Sequence, residues 1–322
     1  MKAKILIIRF SSIGDIVLTT PVVRCVKKQI PNAEVHFITK DAFKDTLINN
    51  PYIDKLITFK KDISEVLKSL KGENYNFIID LHHNLRSLKL KLALGKKAYS
   101  FNKLNIEKFL AVNLKSKSAL PPVHIVYRYF ETVKELGVRS DGNGLDYFIN
   151  KNDEFKIAEK FTKLTSQNFI ALVAGGSYFT KQIPLNKLIE ICSNTSKQFI
   201  LLGGKNEKLI GDALEKACVN VINACGELSL NQSAYVIKMS EAVVTSDTGL
   251  MHIASAFGKR IISIWGNTIP EFGMSPYLPN MSNLILEVKD LKCRPCSKLG
   301  YKNCPKKHFK CMNDIDVSKI SL

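Results

Sequence analysis

Two doubly wound α/β domains facing each other across a cleft are what this sequence predicts, on three observations. Apolar runs of strand length alternate with helical patterns from residue 4 to residue 136, and again from residue 169 to residue 265. Between the two series, VRSDGNGLDYFINKN (138–152) is dense in turn formers and reads as a linker. The length, 322 residues, suits two domains of ordinary size. The expected division is 1–150 and 151–322.

In the first series KILIIR (4–9) reads as a strand. Ser11, Ser12, Gly14 and Asp15 form a turn after it, and a helix follows with Pro21 near its start. Strands are expected at 34–38, 55–59 and 77–81, with a helix over 64–70. After the strand at 77–81 comes HHNLRSLKLKLAL, where the spacing of Leu85, Leu88 and Leu92 is helical. Asp15, His82, His83 and Arg86 thus fall on loops at strand carboxyl ends, where parallel sheets bind ligands. Adjacent histidines rarely share one metal, so substrate contact or a plain polar loop suits His82 and His83 better. Pro121-Pro122 interrupts the chain before a helix expected over 126–136.

The second series opens with a helix expected over 153–164 and a strand at 169–173. A helix over 185–195, a strand at 199–202, a helix over 209–217 and a short strand at 219–222 follow. The stretch VVTSDTGLMHIASAFGKRIISIWGNTIPEFG (243–273) then gives strand, turn at Thr248-Gly249, helix over 251–256 and strand over 261–265. The first amides of such a helix lack internal partners and its dipole is positive there, so an anion such as a phosphate fits that end.

Net charge is +18, from 47 Lys+Arg against 29 Asp+Glu. Nine basic residues and one acidic residue, Glu107, lie between Arg86 and Lys117. The nearby aromatics Tyr99, Phe101 and Phe109 are too sparse for a base-stacking platform, so nucleic acid is not an expected partner. An anionic acceptor or an anionic membrane face fits the stretch, beside the plainer reading of a lysine-rich solvated surface. The opening MKAKILIIRF reads as a strand and not a signal peptide, and no apolar run reaches the ~18 residues of a membrane span. A cytoplasmic protein is expected.

Neither G-x-G-x-x-G after the first strand, G-x-x-x-x-G-K-[ST] nor G-x-S-x-G occurs. Instead GGSYFTKQIP (175–184), GGKNE (203–207) and SDTGLMH (246–252) each follow an expected strand. Glycine turns with one lysine and one glutamate suit a nucleoside diphosphate, Lys181 on phosphate and Glu207 on the ribose hydroxyls.

These motifs, with SSIGD after the first strand and DLHHNLRS further on, resemble glycosyltransferase family 9, the heptosyltransferases of GT-B architecture, over almost the whole chain. The resemblance implies two Rossmann-like domains, acceptor-binding at 1–150 and donor-binding at 151–322. It implies transfer of a sugar, typically heptose from an ADP-sugar, onto the lipopolysaccharide core, with inversion and no catalytic metal. Asp15 matches the general base. Ser177 and Lys181 match diphosphate contacts, Glu207 the ribose contact, and Leu228 a residue against adenine. Asp247, Thr248, Gly249 and His252 match the sugar and phosphate site, and Arg9 a basic position near the acceptor, where Arg86 is also expected. The partners implied are a nucleotide sugar and an anionic glycolipid at the cytoplasmic face of the inner membrane. Two departures stand out: the usual Lys-x-Trp-Pro reads Lys181-Gln182-Ile183-Pro184, and the hydroxyl pair before it is reduced to Gly176-Ser177. Both bear on the identity of the donor sugar.

Cys25, Cys192, Cys218 and Cys225 read as reduced core residues. Cys293, Cys296, Cys304 and Cys311, with His308 nearby, have spacing that fits a structural zinc site. Similar tails recur in the family without being needed for catalysis, so zinc is not the favoured expectation against a reduced loop or a disulfide. Asp314-Ile315-Asp316 lies outside any strand-end loop and reads as a helix cap, not a metal motif. The competing functions are another GT-B enzyme such as a nucleotide-sugar epimerase, which needs no saccharide acceptor, and a basic nucleic-acid-binding protein, which the charge alone suggests.

Overall fold

A computed structural model describes residues 3–278 and 282–322. The chain forms two compact units, Met1–Lys103 with Val123–Phe148, and Leu104–Pro122 with Ile149–Leu322. The segment 104–122, which the sequence pattern assigns to the first domain, packs with the second unit.

The first unit carries β1 (Lys4–Ile8), α1 (Ile13–Val17), α2 (Thr20–Gln29), β2 (Glu34–Lys40), β3 (Lys55–Phe59), α3 (Ser64–Gly72), β4 (Phe77–Asp80), α4 (Leu85–Leu94) and β5 (Lys97–Ser100). Helix α5 (Asn105–Asn113) belongs to the second unit, and α6 (Ile125–Phe130) returns to the first. The sheet is parallel, in the order β3-β2-β1-β4-β5. Strand β1 is an unbroken apolar run with Ile5 to Ile8 fully buried, as expected of a central parallel strand covered on both faces. The chain moves outward from β1 to β3 and then returns to the other side of β1 with β4. That reversal sets the loops after β1 and β4 side by side at the carboxyl edge.

The second unit repeats the plan with α7 (Ile157–Lys160), β6 (Phe169–Val173), α8 (Leu185–Ser193), β7 (Gln198–Leu202), α9 (Lys208–Ala217), β8 (Val221–Asn223), α10 (Leu230–Met239), β9 (Ala242–Ser246), α11 (Gly249–Ala256), β10 (Arg260–Trp265), β11 (Leu284–Glu287) and α12 (Lys310–Asn313). Its parallel sheet has the order β11-β10-β9-β6-β7-β8, so the reversal falls between β6 and β9. Apolar clusters cover both faces, one built on Leu172, Leu188 and Leu214, the other on Ala171, Met251 and Trp265.

Two expected helices are shorter than their patterns. The helix at 126–136 ends at Phe130 and resumes as a 3-10 turn at 134–136. There the Thr132 hydroxyl donates to the Tyr129 carbonyl at 2.6 Å and competes with the backbone ladder. The helix at 153–164 shrinks to Ile157–Lys160. Phe155, Ile157, Phe161 and Leu164 all pack on the core, but in one helix Phe155 would point ~200° away from Ile157. Burying all four requires the break.

Asp80, at the end of β4, is fully buried. One carboxylate oxygen accepts the backbone N–H groups of His82 at 3.0 Å and His83 at 2.7 Å. The other accepts the Ser87 hydroxyl at 2.8 Å and pairs with Lys91 at 2.9 Å. Burial alone would raise its pKa, but the His83 amide, Lys91 and Ser87 outweigh it and hold the carboxyl below its usual range. Asp80→Asn should therefore cost ~3 kcal/mol in urea unfolding at pH 7. Because the folded-state value is depressed, this stabilisation is complete above pH ~3.9 and is lost as pH falls through the folded value. The two unfolding curves should converge in acid, and equal stability at pH 7 would show the network contributes nothing net.

Candidate functional site

Each sheet gathers its polar side chains at its reversal. In the first unit Arg9 directly follows β1 and is buried. Its Nε donates to the Ser11 carbonyl at 2.8 Å, and Nη1 donates to the Leu81 carbonyl at 2.6 Å and the Tyr129 hydroxyl at 3.1 Å. Nη2 pairs with Asp15 Oδ1 at 2.6 Å. The other oxygen of Asp15 accepts the Ser12 hydroxyl at 2.8 Å and the Ser12 amide at 3.2 Å, a capping box that starts α1. The guanidinium thus ties the loops after β1 and β4 together and fixes the orientation of the Asp15 carboxylate. Burial would lower the Arg9 pKa, but Asp15 and its other partners more than restore it.

The His82 ring packs at a tilt against Phe10, with ring centroids 4.8 Å apart. Burial first, then Arg9 and Lys103, push its pKa down to about 3, so the imidazole is neutral at neutral pH. The His83 ring sits 2.7 Å from the Phe101 carbonyl. Arg86 lies exposed in the first turn of α4. Arg9, read from sequence as a basic position near the acceptor, is a partner of Asp15 in the fold.

In the second unit the loops after β6, β9 and β10 meet. The Lys181 ammonium donates to Asp247 Oδ2 at 2.6 Å, and the Thr268 hydroxyl donates to the same oxygen at 2.9 Å. Thr248, the N-cap position of α11, has its hydroxyl 3.1 Å from that of Thr245. Gly249 opens the helix, and His252 is buried within it. Beside this group Glu207 accepts the Gly204 amide at 2.8 Å. Gly203 must lack a side chain, since a Cβ would come within 2.8 Å of both Cys225 Sγ and Glu207 Cβ. Gly175 faces Glu207 and Gly176 faces Lys181, so the glycine pair seats one loop between the two charged residues. Leu228 packs on the core below, and Ser177 stays exposed on the Lys181 loop. Lys181, Asp247 and Thr248 are thereby brought to one edge, with Glu207 on the neighbouring loop.

Thr268 and Arg294 were not singled out by the sequence. Arg294 is buried, and its Nε donates to the Gly266 carbonyl at 2.5 Å. Nη1 donates to the Val288 carbonyl at 2.5 Å, and Nη2 to the Thr268 carbonyl and to Glu287, both at 2.9 Å. Cys296 N–H adds a bond to the Asn267 carbonyl at 3.3 Å. Tyr301 and Thr180 exchange bonds on the Lys181 side, the Tyr301 amide donating to the Thr180 hydroxyl at 2.8 Å. The cysteine-rich segment therefore braces the loops carrying Thr268 and Lys181 from behind. Gly266 fits the same contact, since a Cβ there would lie 2.7 Å from Met312 Cε and 2.9 Å from the Thr180 carbonyl.

The four clustered cysteines are all free thiols. Cys293 Sγ is 3.9 Å from His308 Nε2, and burial pushes Cys311 up to about 12 and raises Cys296. Among the described residues, the one group placing three ligand atoms within 4.8 Å of each other is Glu34, His36 and Glu73. There Lys4 pairs with Glu73 at 2.7 Å and Glu34 at 3.6 Å, and Lys55 also meets Glu73, which makes this a salt-bridge network. Among the described residues no helix is long and apolar enough to cross a membrane.

A sequence profile of glycosyltransferase family 9 (heptosyltransferase) matches residues 63–303. Lipopolysaccharide heptosyltransferase 1 of Campylobacter coli is 27% identical over 295 residues, covering 82% of this chain and 84% of that protein. The structure of E. coli ADP-heptose lipopolysaccharide heptosyltransferase II superposes with a TM-score of 0.70 at 19% identity, covering 98% of each chain. The E. coli heptosyltransferase WaaC with ADP gives a TM-score of 0.66 at 19% identity, covering 88% of this chain and 92% of that one.

The brace makes its own prediction. Arg294→Lys keeps the charge but cannot reach four acceptors in one plane. Backbone amides of 265–269 should then exchange hydrogen about tenfold faster or more, with the central strands unchanged. Unaltered exchange there would show that the loop holds itself.

Proposed function

The chain belongs to glycosyltransferase family 9, and we propose that this glycosyltransferase moves heptose from ADP-heptose to a lipopolysaccharide core acceptor, inverting the anomeric centre without a catalytic metal. The proposal names the donor and acceptor that the similar heptosyltransferases carry in their names. The observation that carries it is the Lys181 ammonium at the reversal of the second sheet, beside the start of α11. A departing diphosphate needs positive charge and amide donors of that kind.

In this reading Lys181, Ser177, Thr248 and the opening amides of α11 at Gly249 hold the diphosphate. Asp247 keeps the lysine aimed and, with His252, borders the sugar. Glu207 takes the ribose hydroxyls and Leu228 the adenine face. On the first unit Asp15 takes the proton of the acceptor hydroxyl as its oxygen bonds to the anomeric carbon. The bond from that carbon to the diphosphate oxygen breaks, and ADP leaves with its electron pair. Arg9 fixes the Asp15 carboxylate, and Arg86 meets the anionic acceptor. The division into an acceptor-binding first half and a donor-binding second half is part of the proposal, as is a location at the cytoplasmic face of the inner membrane.

Two variants test the halves separately. Lys181→Ala should weaken ADP binding by ~1–3 kcal/mol in calorimetry, the range of a charge-assisted bond. Unchanged affinity would take Lys181 out of the donor site. Asp15→Asn keeps the shape but cannot accept a proton, so kcat should fall ~10²–10⁴-fold with ADP affinity nearly intact. Turnover near that of the wild type would leave another group as the base.

A further inference from the structure

Helix α4 shows a face that its own unit does not cover. The capping box of Asn84 and Ser87 starts it and Gly95, at φ 61°, ends it. Leu90 is buried in the core and Leu94 packs against it. Leu85, Leu88 and Leu92 point the other way, with 77%, 44% and 73% of their surface exposed. Their spacing of three and four puts them in one row along the helix. Three outward leucines on ten residues form a continuous apolar strip, unlike the scattered single exposures normal on a soluble protein.

The charge around this strip has one sign. From residue 85 to residue 97 the sequence holds Arg86, Lys89, Lys91, Lys96 and Lys97 and no aspartate or glutamate. The acidic groups that face these cations from other elements are few. Asp80 takes Lys91 at 2.9 Å, Glu135 meets Lys97 at 3.5 Å, and Asp62 feels Lys89 and Arg86. Lys89 and Lys96 stand exposed beside the leucines.

We propose that α4 is a membrane-docking helix, lying flat on an anionic lipid surface with Leu85, Leu88 and Leu92 entering the interface and Lys89 and Lys96 meeting the headgroups. A leucine row flanked by lysines is the composition that binds in the interfacial plane, through apolar burial together with attraction to anionic lipid. The charge selects an anionic bilayer over a second copy of the chain, because two such helices face to face would bring like charges together. The assignment of α4 rests on the inner-membrane location proposed above and names the element that makes the contact; docking itself needs neither donor nor acceptor, so its loss is read separately from loss of transfer.

The test is co-sedimentation of the full chain with vesicles of phosphatidylethanolamine and phosphatidylglycerol, and with vesicles of phosphatidylcholine alone. The wild type should pellet with the anionic vesicles, not with the neutral ones, and less so as salt rises. Leu85→Gln, Leu88→Gln and Leu92→Gln together should lower partitioning by about tenfold or more. Lys89→Gln with Lys96→Gln should lower it by roughly fivefold for each lysine removed. The thermal shift caused by ADP should persist in both variants, which separates failed docking from failed donor binding. A second readout uses Leu92→Trp, since the one native tryptophan, Trp265, is buried. Its emission should move to shorter wavelength when anionic vesicles are added. The proposal is overturned if the wild type ignores anionic vesicles, if the leucine variant binds as well as the wild type, or if Leu92→Trp emission does not move. It is also overturned if the wild type is a dimer that the leucine substitutions dissociate.

Discussion

The position of the first strand within each sheet is the constraint from which the polar sites follow. In both units that strand lies inside the sheet, between the neighbour laid down next and one laid down after the chain has turned back. A parallel sheet must place all its carboxyl-end loops on one edge, and at the reversal two of them separate and leave room between them. The residue types there follow from the surroundings. The strands bury their side chains on both faces, so a charged group is tolerated only where the strand stops. Arg9 and Asp80 end β1 and β4 in the first unit, and Asp247 ends β9 in the second. Each is buried or half-buried and each has its charge answered by a neighbour.

Much of this was legible in the sequence because the strongest signals are local. KILII, FIALV and RIISIW are apolar runs of strand length, and the turn at Thr248-Gly249 separates a strand from a helix as its residues dictate. Four of the elements that escaped notice show why. β5 is KAYS and β11 is LILE, edge strands of four residues each, too short for a period to show. α5 begins at Leu104 in the left-handed region without a capping side chain. α10 could have been found, since Ser229 and Gln232 form a capping box that is written in the sequence as S-x-x-Q. What no local pattern could show was pairing across the chain. Arg9 with Tyr129, Lys181 with Asp247, and Arg294 with the loop at 266–268 are contacts between distant segments. An arginine between two cysteines reads as surface until its partners are known.

The cysteine-rich segment illustrates how a motif can be misleading by its chemistry. Four thiols and a histidine direct attention to metal binding. Yet the contacts the segment makes to the site loops come from Arg294, Tyr301 and the Cys296 amide, which hold the loops of Lys181 and Thr268. Cys311 contributes as a buried apolar residue beside Met312. The segment's visible work is mechanical, and it places Thr268 where its hydroxyl can reach Asp247.

The two ion pairs meet the same difficulty with different degrees of freedom. A lone cation or carboxylate held partly out of water costs several kcal/mol, so each is stored against an opposite charge at 2.6 Å. Lysine has three donor hydrogens on a flexible stem. Lys181 can keep its bond to Asp247 and still offer a second hydrogen to an arriving phosphate, so the proposed donor site need not break its pair to bind. Arg9 has no such latitude. Nε and Nη1 are committed to the Ser11 and Leu81 carbonyls and the Tyr129 hydroxyl, which fixes the plane of the guanidinium and the direction of Nη2. Asp15 therefore gains position from Arg9, but the attraction weakens as a proton arrives on the carboxylate. In the proposed reaction that loss falls on the base, whereas charge moving onto the diphosphate strengthens its attraction to Lys181. The rigid pair thus serves orientation and the flexible pair serves the leaving group, and the electrostatic gain of the transfer is concentrated on the second unit.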